Sequence, residues 1–164
     1  METNNIYEEK IFSKWTTGIV GLFTIGFLFV LIYQIFVGPI GANPAPNWFF
    51  LLMFLLFLGV MINFNMLNIK MTPQFIIVGY GIFKDKIFWE NIEDCYLDKT
   101  SAIRYGGWGI RIGRVNKKWR QVYNTPGEPR IVLSLKKGEF FKEFVFSTKN
   151  PEEVMKIIKE RIKN

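Results

Sequence analysis

Histidine is absent from this chain of 164 residues, and cysteine occurs once, as Cys95. Histidine is the usual general base, the usual zinc ligand and the residue that orients a serine or cysteine nucleophile. Conventional hydrolase chemistry is therefore not expected, and we predict no enzymatic activity, no catalytic residue, no metal and no cofactor. A single cysteine has no partner for an internal disulfide, which agrees with an intracellular location.

The acidic residues also lack the spacing of a metal site. Four of them are close in sequence, but they do not follow the calcium-loop pattern of alternating ligands with a central glycine and a closing glutamate. We expect a solvated strand edge at these positions, which are Glu90, Glu93, Asp94 and Asp98.

Charged residues are missing from two long apolar runs, 15–37 with 23 residues and 48–66 with 19 residues. At about 1.5 Å per helical residue, each run is long enough to cross or nearly cross a hydrocarbon layer of roughly 30 Å. Residues 38–47 between them contain three prolines and are too few for more than a turn. The sequence predicts a transmembrane hairpin of two helices, with 38–47 as the external connector.

Basic residues flank only the far ends of these runs. The connector has no charge, whereas Lys10, Lys14 and Lys70 lie outside the apolar segments. Since positive charge favours the cytoplasmic side, we expect both termini in the cytoplasm and the protein in the cell membrane. Residues 1–14 would then be a cytoplasmic N-terminal segment.

From residue 67 onward the apolar pattern changes to a period of two, with turn residues about every ten positions. This pattern predicts a mainly β domain over 67–164, with tight turns at 79–81 and 137–139. In 131–135, Ile131, Leu133 and Leu135 should face the core, and Val132 and Ser134 should face outward. The predicted strands are 68–72, 75–78, 82–89, 93–98, 110–114, 118–123, 131–135 and 140–147.

The chain ends with a segment typical of a helix. Asn150 suits the position before the helix, Pro151 suits its first residue, and the acids that follow favour the N-terminal end. Apolar residues then recur at steps of three and four as far as Ile162. We predict one C-terminal helix over about 151–162 that packs on the strands.

Three motifs resemble a known family. Trp-Glu-Asn-Ile at 89–92, Tyr-Gly-Gly-Trp-Gly-Ile-Arg at 105–111 and Phe-Ser-Thr-Lys-Asn-Pro-Glu-Glu at 146–153 are similar to elements of bacterial and archaeal membrane-flanked pleckstrin-homology-like (PH-like) domains of an uncharacterised subgroup. The resemblance implies a PH-like barrel or sandwich that is anchored in the membrane. It also implies binding of lipids, peptides or neighbouring membrane proteins without established catalysis.

The positive charge is concentrated in one stretch. The loop at 72–74, where phosphoinositide-binding PH domains gather basic residues, has no charge. Residues 99–127 instead contain seven basic and no acidic residues, interleaved with aromatic ones. The candidate binding residues are Arg104, Tyr105, Trp108, Arg111, Arg114, Lys117, Lys118 and Arg120.

Three kinds of partner suit such a stretch. Anionic lipid headgroups would attract the basic side chains, with tryptophan at the membrane interface. Another membrane protein, or a second copy of the chain, would bind through a free strand edge with arginine and tryptophan as anchors. Nucleic acid would use the same charges and rings and is ranked last. The glycines and Trp108 at 106–109 also fit a purely structural turn.

Overall fold

A computed structural model describes residues 5–136 and 141–163 of the chain. These residues form two compact units. One unit contains the residues up to Phe12 together with those from Met66 onward, and the other contains Ser13–Asn65. The second unit is therefore inserted into the chain of the first.

The inserted unit is a pair of helices, α1 (Lys14–Phe36) and α2 (Asn47–Phe64). The ring of Phe57 packs between those of Phe23 and Phe27, with centroid distances of 5.6 and 5.3 Å. Gly21 faces Met61 across the pair, and a Cβ at Gly21 would make an ordinary contact of 3.6 Å with the Met61 sulfur. Both helices are long and apolar enough to cross a membrane, and most of their side chains are exposed.

The other unit begins with a strand that the sequence analysis did not predict, β1 (Tyr7–Phe12). It pairs antiparallel with β2, the first strand after the helices, from Tyr7 opposite Met71 to Phe12 opposite Met66. The Ser13 N–H continues this pairing, because it donates to the Asn65 carbonyl at 2.8 Å. Two strands of one hairpin are thus separated in sequence by the helical unit.

The strands of this unit form two sheets. The first sheet has the order β1-β2-β3-β4, and the second has the order β5-β8-β9-β7-β6, in which β7 and β9 are parallel. The helix α3 (Pro151–Lys163) follows the last strand. The strands after β1 are β2 (Met66–Met71), β3 (Phe75–Tyr80), β4 (Phe83–Phe88), β5 (Ile92–Leu97), β6 (Gly109–Val115), β7 (Lys118–Asn124), β8 (Arg130–Leu135) and β9 (Glu143–Ser147).

Polar contacts join the two sheets at their buried faces. The Tyr80 hydroxyl donates to the Asn124 carbonyl at 2.8 Å, and the Tyr80 ring stacks on that of Tyr123. Asp85 accepts hydrogen bonds from Gln121 and Tyr123. The core between the sheets and under α3 is apolar and includes Ile11, Ile69, Val78, Ile131, Leu133, Phe146, Val154 and Ile158.

Most strand predictions agree with the structure within about two residues. The strand predicted at 82–89 ends earlier, because Trp89–Asn91 forms a 3₁₀ turn. Tyr80, predicted in a turn, belongs to β3. The turn predicted at 137–139 and the start of the strand predicted at 140 lie outside the described residues. The C-terminal helix is confirmed.

Candidate functional site

The β6–β7 hairpin lies at one end of the second sheet, with β6 as the last strand in its order. Residues opposite each other in an antiparallel pair share a face. Arg114 pairs with Trp119 and Ile112 with Gln121, whereas Arg111 pairs with Val122. Arg111 therefore lies on the face opposite Arg114 and Trp119, so the basic residues do not form one flat surface.

The two strands are joined by the shortest kind of hairpin turn. Val115 pairs with Lys118, so only Asn116 and Lys117 form the loop, with φ of 50° and 65°. Two successive residues with positive φ define a type I′ turn, whose twist matches that of the flanking strands. We call these two residues the hairpin tip. The first residue of β7 that pairs with β9 is Arg120, so the hairpin tip extends beyond the part of β7 that β9 covers.

We call residues 103–119 the hairpin region, and four of its basic side chains are exposed to solvent. Arg114 lies beside the ring of Trp119, with 5.7 Å between the guanidinium carbon and the ring centroid. Within the parts of the chain that are described, none of the four forms an ion pair with an acidic side chain. Their charges are available to an external anionic partner. The four are Arg104, Arg111, Arg114 and Lys117.

Large apolar side chains are exposed among these charges. Ile103 is 87% exposed and Ile112 58%, and Trp108 and Trp119 are 51% and 38% exposed. Exposed tryptophan beside arginine is unusual on a surface that faces only water, and it is common at binding interfaces and at the membrane interface. The hairpin region thus combines uncompensated positive charge with exposed apolar area.

Tyr105 lies under this surface rather than on it. It ends a 3₁₀ turn, Ala102–Tyr105, and is 3% exposed. A Cβ on Gly113 would lie 2.6 Å from the Tyr105 ring, so glycine is needed for this close packing. Tyr105 covers a second small core on the outer face of the second sheet, formed with Val115, Val122, Val132 and Val145. Val132, predicted to face outward, is therefore buried.

Arg120 is also buried, at 4% exposure, inside a charged network. Its guanidinium donates to the Glu143 carboxylate at 2.5 Å and to the Tyr105 hydroxyl at 2.7 Å. It also contacts Asp98 at 3.4 Å, and Asp98 in turn accepts from Arg130 at 3.0 Å. A buried charge is tolerated only when its hydrogen bonds are satisfied, and this network satisfies the bonds of Arg120 internally.

The two carboxylates of the network are stabilised in their charged form. Burial would raise the pKa of Asp98, but hydrogen bonds from Thr100 and Arg130 outweigh burial and hold this pKa below its ordinary value. Burial would also raise the pKa of Glu143, but hydrogen bonds from Lys118 and Arg120 outweigh burial and lower this pKa. The network therefore carries its full charge at neutral pH and holds the outer face together.

The structure divides the eight predicted binding residues into three groups. Tyr105 and Arg120 are buried and structural, so including them in an exposed binding face does not fit the structure. Lys118 is exposed, but its ammonium group is paired with Glu143 at 3.1 Å. The remaining five are exposed and have no acidic partner among the described residues, namely Arg104, Trp108, Arg111, Arg114 and Lys117.

Sequence reasoning did not find the network, although one signal was present. Glu143 is followed in its strand by the apolar residues Phe144, Val145 and Phe146, and a lone acid buried in such a strand requires a basic partner. Asp98 and Arg130 had no comparable signal. Asp98 was expected in a solvated acidic edge, whereas its side chain is only 1% exposed.

A second positive surface lies on the outer face of the first sheet. The register places Lys70 and Lys86 in one row across the strands, and Lys10 and Lys84 in the next. Glu8 is paired with Lys10 at 3.3 Å. This surface was missed because Lys10 belongs to β1, the strand that was not predicted.

Two groups that could carry chemistry are unsuited to it. The Cys95 thiol is buried, and burial raises its pKa to about 11, so it is a poor nucleophile. Among the described residues, no three His, Cys, Asp or Glu side chains converge in the manner of a metal site.

Comparison of the chain with protein-family models, curated proteins and solved structures finds no match. The geometry alone therefore defines the candidate site. That site is the hairpin region 103–119, with exposed basic and apolar side chains above the buried network of Arg120.

Proposed function

We propose that this chain is a non-enzymatic integral membrane protein whose PH-like β unit docks through the β6–β7 hairpin on anionic lipid headgroups. The observation that carries the proposal is the set of exposed arginine and lysine side chains without acidic partners, mixed with exposed tryptophan and isoleucine. Such a protein would act as an anchor or scaffold at the cytoplasmic surface of the membrane.

The membrane anchor is supported by the surface of the helical pair. Side chains such as Leu22 and Phe36 are 72% and 81% exposed, and no residue of α2 is buried. An apolar surface of this kind is stable in lipid and costly in water. Basic residues lie only at the outer ends of the pair, which favours cytoplasmic termini.

The PH-like assignment is supported by the order of the elements. The first sheet is an antiparallel meander of four strands, and the second sheet leads into a C-terminal helix that packs on β5. The β6–β7 hairpin adds to the edge of the second sheet. In this proposal the two membrane helices divide the domain after its first strand.

The expected strength of docking follows from the charges. Each lysine or arginine near an anionic surface contributes about 1 kcal/mol, so four exposed residues contribute about 4 kcal/mol before any tryptophan is inserted. Tethering by the membrane helices raises the effective concentration of lipid, so a modest affinity is sufficient. Docking should weaken as salt rises, because salt screens exposed charges.

The proposal is tested on the full chain in bilayers with a fluorophore at one cysteine. Ile103→Cys places an environment-sensitive dye on the hairpin region, and Ile82→Cys places it on the β3–β4 turn, where Ile82 is 79% exposed. Native Cys95 is buried with a raised pKa and should label poorly. Headgroup-quencher lipids then report docking in phosphatidylcholine alone and mixed with phosphatidylglycerol.

Docking through the hairpin predicts quenching at position 103 that increases with phosphatidylglycerol and decreases with salt, and little change at position 82. Equal quenching at position 103 in neutral and anionic bilayers would contradict the proposal.

A second candidate function is binding of an acidic, extended segment of another membrane protein. The favouring observation is the position of β6 at the end of its sheet, with Arg111 and Arg114 along it. An added strand would use the backbone of β6, and acidic side chains would meet the arginines. This candidate predicts a co-purifying membrane protein and no dependence of quenching on lipid charge.

A further inference from the structure

The hairpin tip has a backbone conformation that one of its residues disfavours. Both positions of a type I′ turn need positive φ, which asparagine tolerates and glycine adopts freely. Asn116 suits the first position, but the second is Lys117, with φ of 65°. A side chain with a Cβ is strained there, because the Cβ crowds the following carbonyl oxygen.

Contacts within the folded unit do not explain this lysine. Lys117 is exposed, and among the described residues its ammonium group has no ion pair or hydrogen bond. The neighbouring Lys118, by contrast, contacts Glu143. Lys117 therefore reduces stability without a compensating contact in the protein. Backbone strain of this kind is a reason to look for a functional role.

We propose that Lys117 is a headgroup-binding residue and that the hairpin docks tip first, with this ammonium group on a lipid phosphate. This inference rests on the proposed function. Arg111 and Arg114 lie on opposite faces of the hairpin, so neither face presents all of the charge. The faces meet at the tip, where an approaching anionic surface meets Lys117 with arginines on either side.

The test compares two glycine substitutions in the full chain, each carrying the dye at Ile103→Cys. Lys117→Gly removes both the strain and the charge. Asn116→Gly is the matched control, because it adds the same residue to the same turn and keeps the charge. Lys117→Arg keeps both the charge and the strain. For each variant we would measure the melting temperature of the β unit and the quenching of the dye in bilayers containing phosphatidylglycerol.

Lys117→Gly should raise the melting temperature of the β unit by roughly 2–4 °C and lower the ratio of docked to undocked protein about fivefold. Asn116→Gly should leave this ratio unchanged, and Lys117→Arg, which keeps the charge, should restore the docking that Lys117→Gly loses. Docking by Lys117→Gly equal to that of Asn116→Gly would overturn the inference while the proposed function stands. A parent chain that shows no preference for anionic bilayers would overturn both.

Discussion

The β unit should fold without the membrane helices if β1 is kept. One backbone hydrogen bond joins Ser13 to Asn65 directly beyond the Phe12–Met66 pair, so the two backbones are close enough for a two-residue turn to connect them. We expect that replacing residues 14–64 by Asn-Gly produces a folded domain. A chain that begins at Met66 should instead be largely unfolded.

The magnitude follows from what β1 contributes. Ile11 is fully buried, which stabilises the fold by about 1.5–3 kcal/mol. The Glu9 carboxylate accepts from the Thr148 hydroxyl at 2.6 Å and from the Lys149 N–H at 2.8 Å, and hydrogen bonds to a charged group contribute about 1.5–3 kcal/mol each. The total of about 5–9 kcal/mol is comparable with the whole stability of a typical domain, which is about 5–15 kcal/mol.

The assay is thermal unfolding followed by circular dichroism, with a two-dimensional NMR spectrum for each chain. The turn-linked chain should melt cooperatively and have dispersed amide signals, whereas the chain from Met66 should have neither. Glu9→Gln in the turn-linked chain is an intermediate control and should lower the melting temperature without abolishing folding. Equal melting temperatures with and without β1 would refute the reasoning.

Three further predictions concern the outer face of the second sheet. Gly113→Ala should lower the free energy of unfolding by about 1–3 kcal/mol, because a Cβ there meets the Tyr105 ring. Chemical denaturation measures this loss, and an unchanged denaturation midpoint would contradict the packing. Arg120→Met should lower the free energy of unfolding by about 3–5 kcal/mol, since it removes the positive charge that pairs with buried Asp98 and Glu143. A loss below about 1 kcal/mol would show that the network does not stabilise the fold. Folding lowers the pKa values of Asp98 and Glu143. The two carboxylates therefore stabilise the fold fully at a pH above their unfolded-state pKa values of about 4. This stabilisation is lost as the pH falls through their folded-state pKa values. Melting temperature measured against pH should therefore fall steeply in acid, and Glu143→Gln should make this fall shallower; an unchanged slope would contradict the linkage.

Periodicity was sufficient to predict the helices and most strands. Uncharged runs of about 20 residues and alternating β segments are local signals, so α1, α2, β2 to β9 and α3 were found close to their observed bounds. β1 was missed for a physical reason. It is a short, charged strand, Tyr-Glu-Glu-Lys-Ile-Phe, and its partner β2 begins 54 residues after β1 ends. Nothing local indicates such a pairing.

The candidate site was predictable in composition but not in geometry. The excess of positive charge in 99–127 was visible in the sequence, and six of the eight predicted residues are exposed. Burial of Arg120 was not predictable, because it depends on Glu143 and Asp98, which lie 23 and 22 residues away in sequence. The division of Arg111 and Arg114 between two faces required the register of β6 and β7.

Charge reversal on two matched surfaces tests the central claim most directly. Arg111→Glu with Arg114→Glu changes the hairpin, and Lys84→Glu with Lys86→Glu makes the same change of charge on the outer face of the first sheet. Both are measured in the full chain by quenching of the dye at Ile103→Cys in bilayers containing phosphatidylglycerol. The account predicts that the hairpin reversal abolishes the lipid-dependent quenching and that the first-sheet reversal preserves it. Quenching that survives the hairpin reversal would contradict the account.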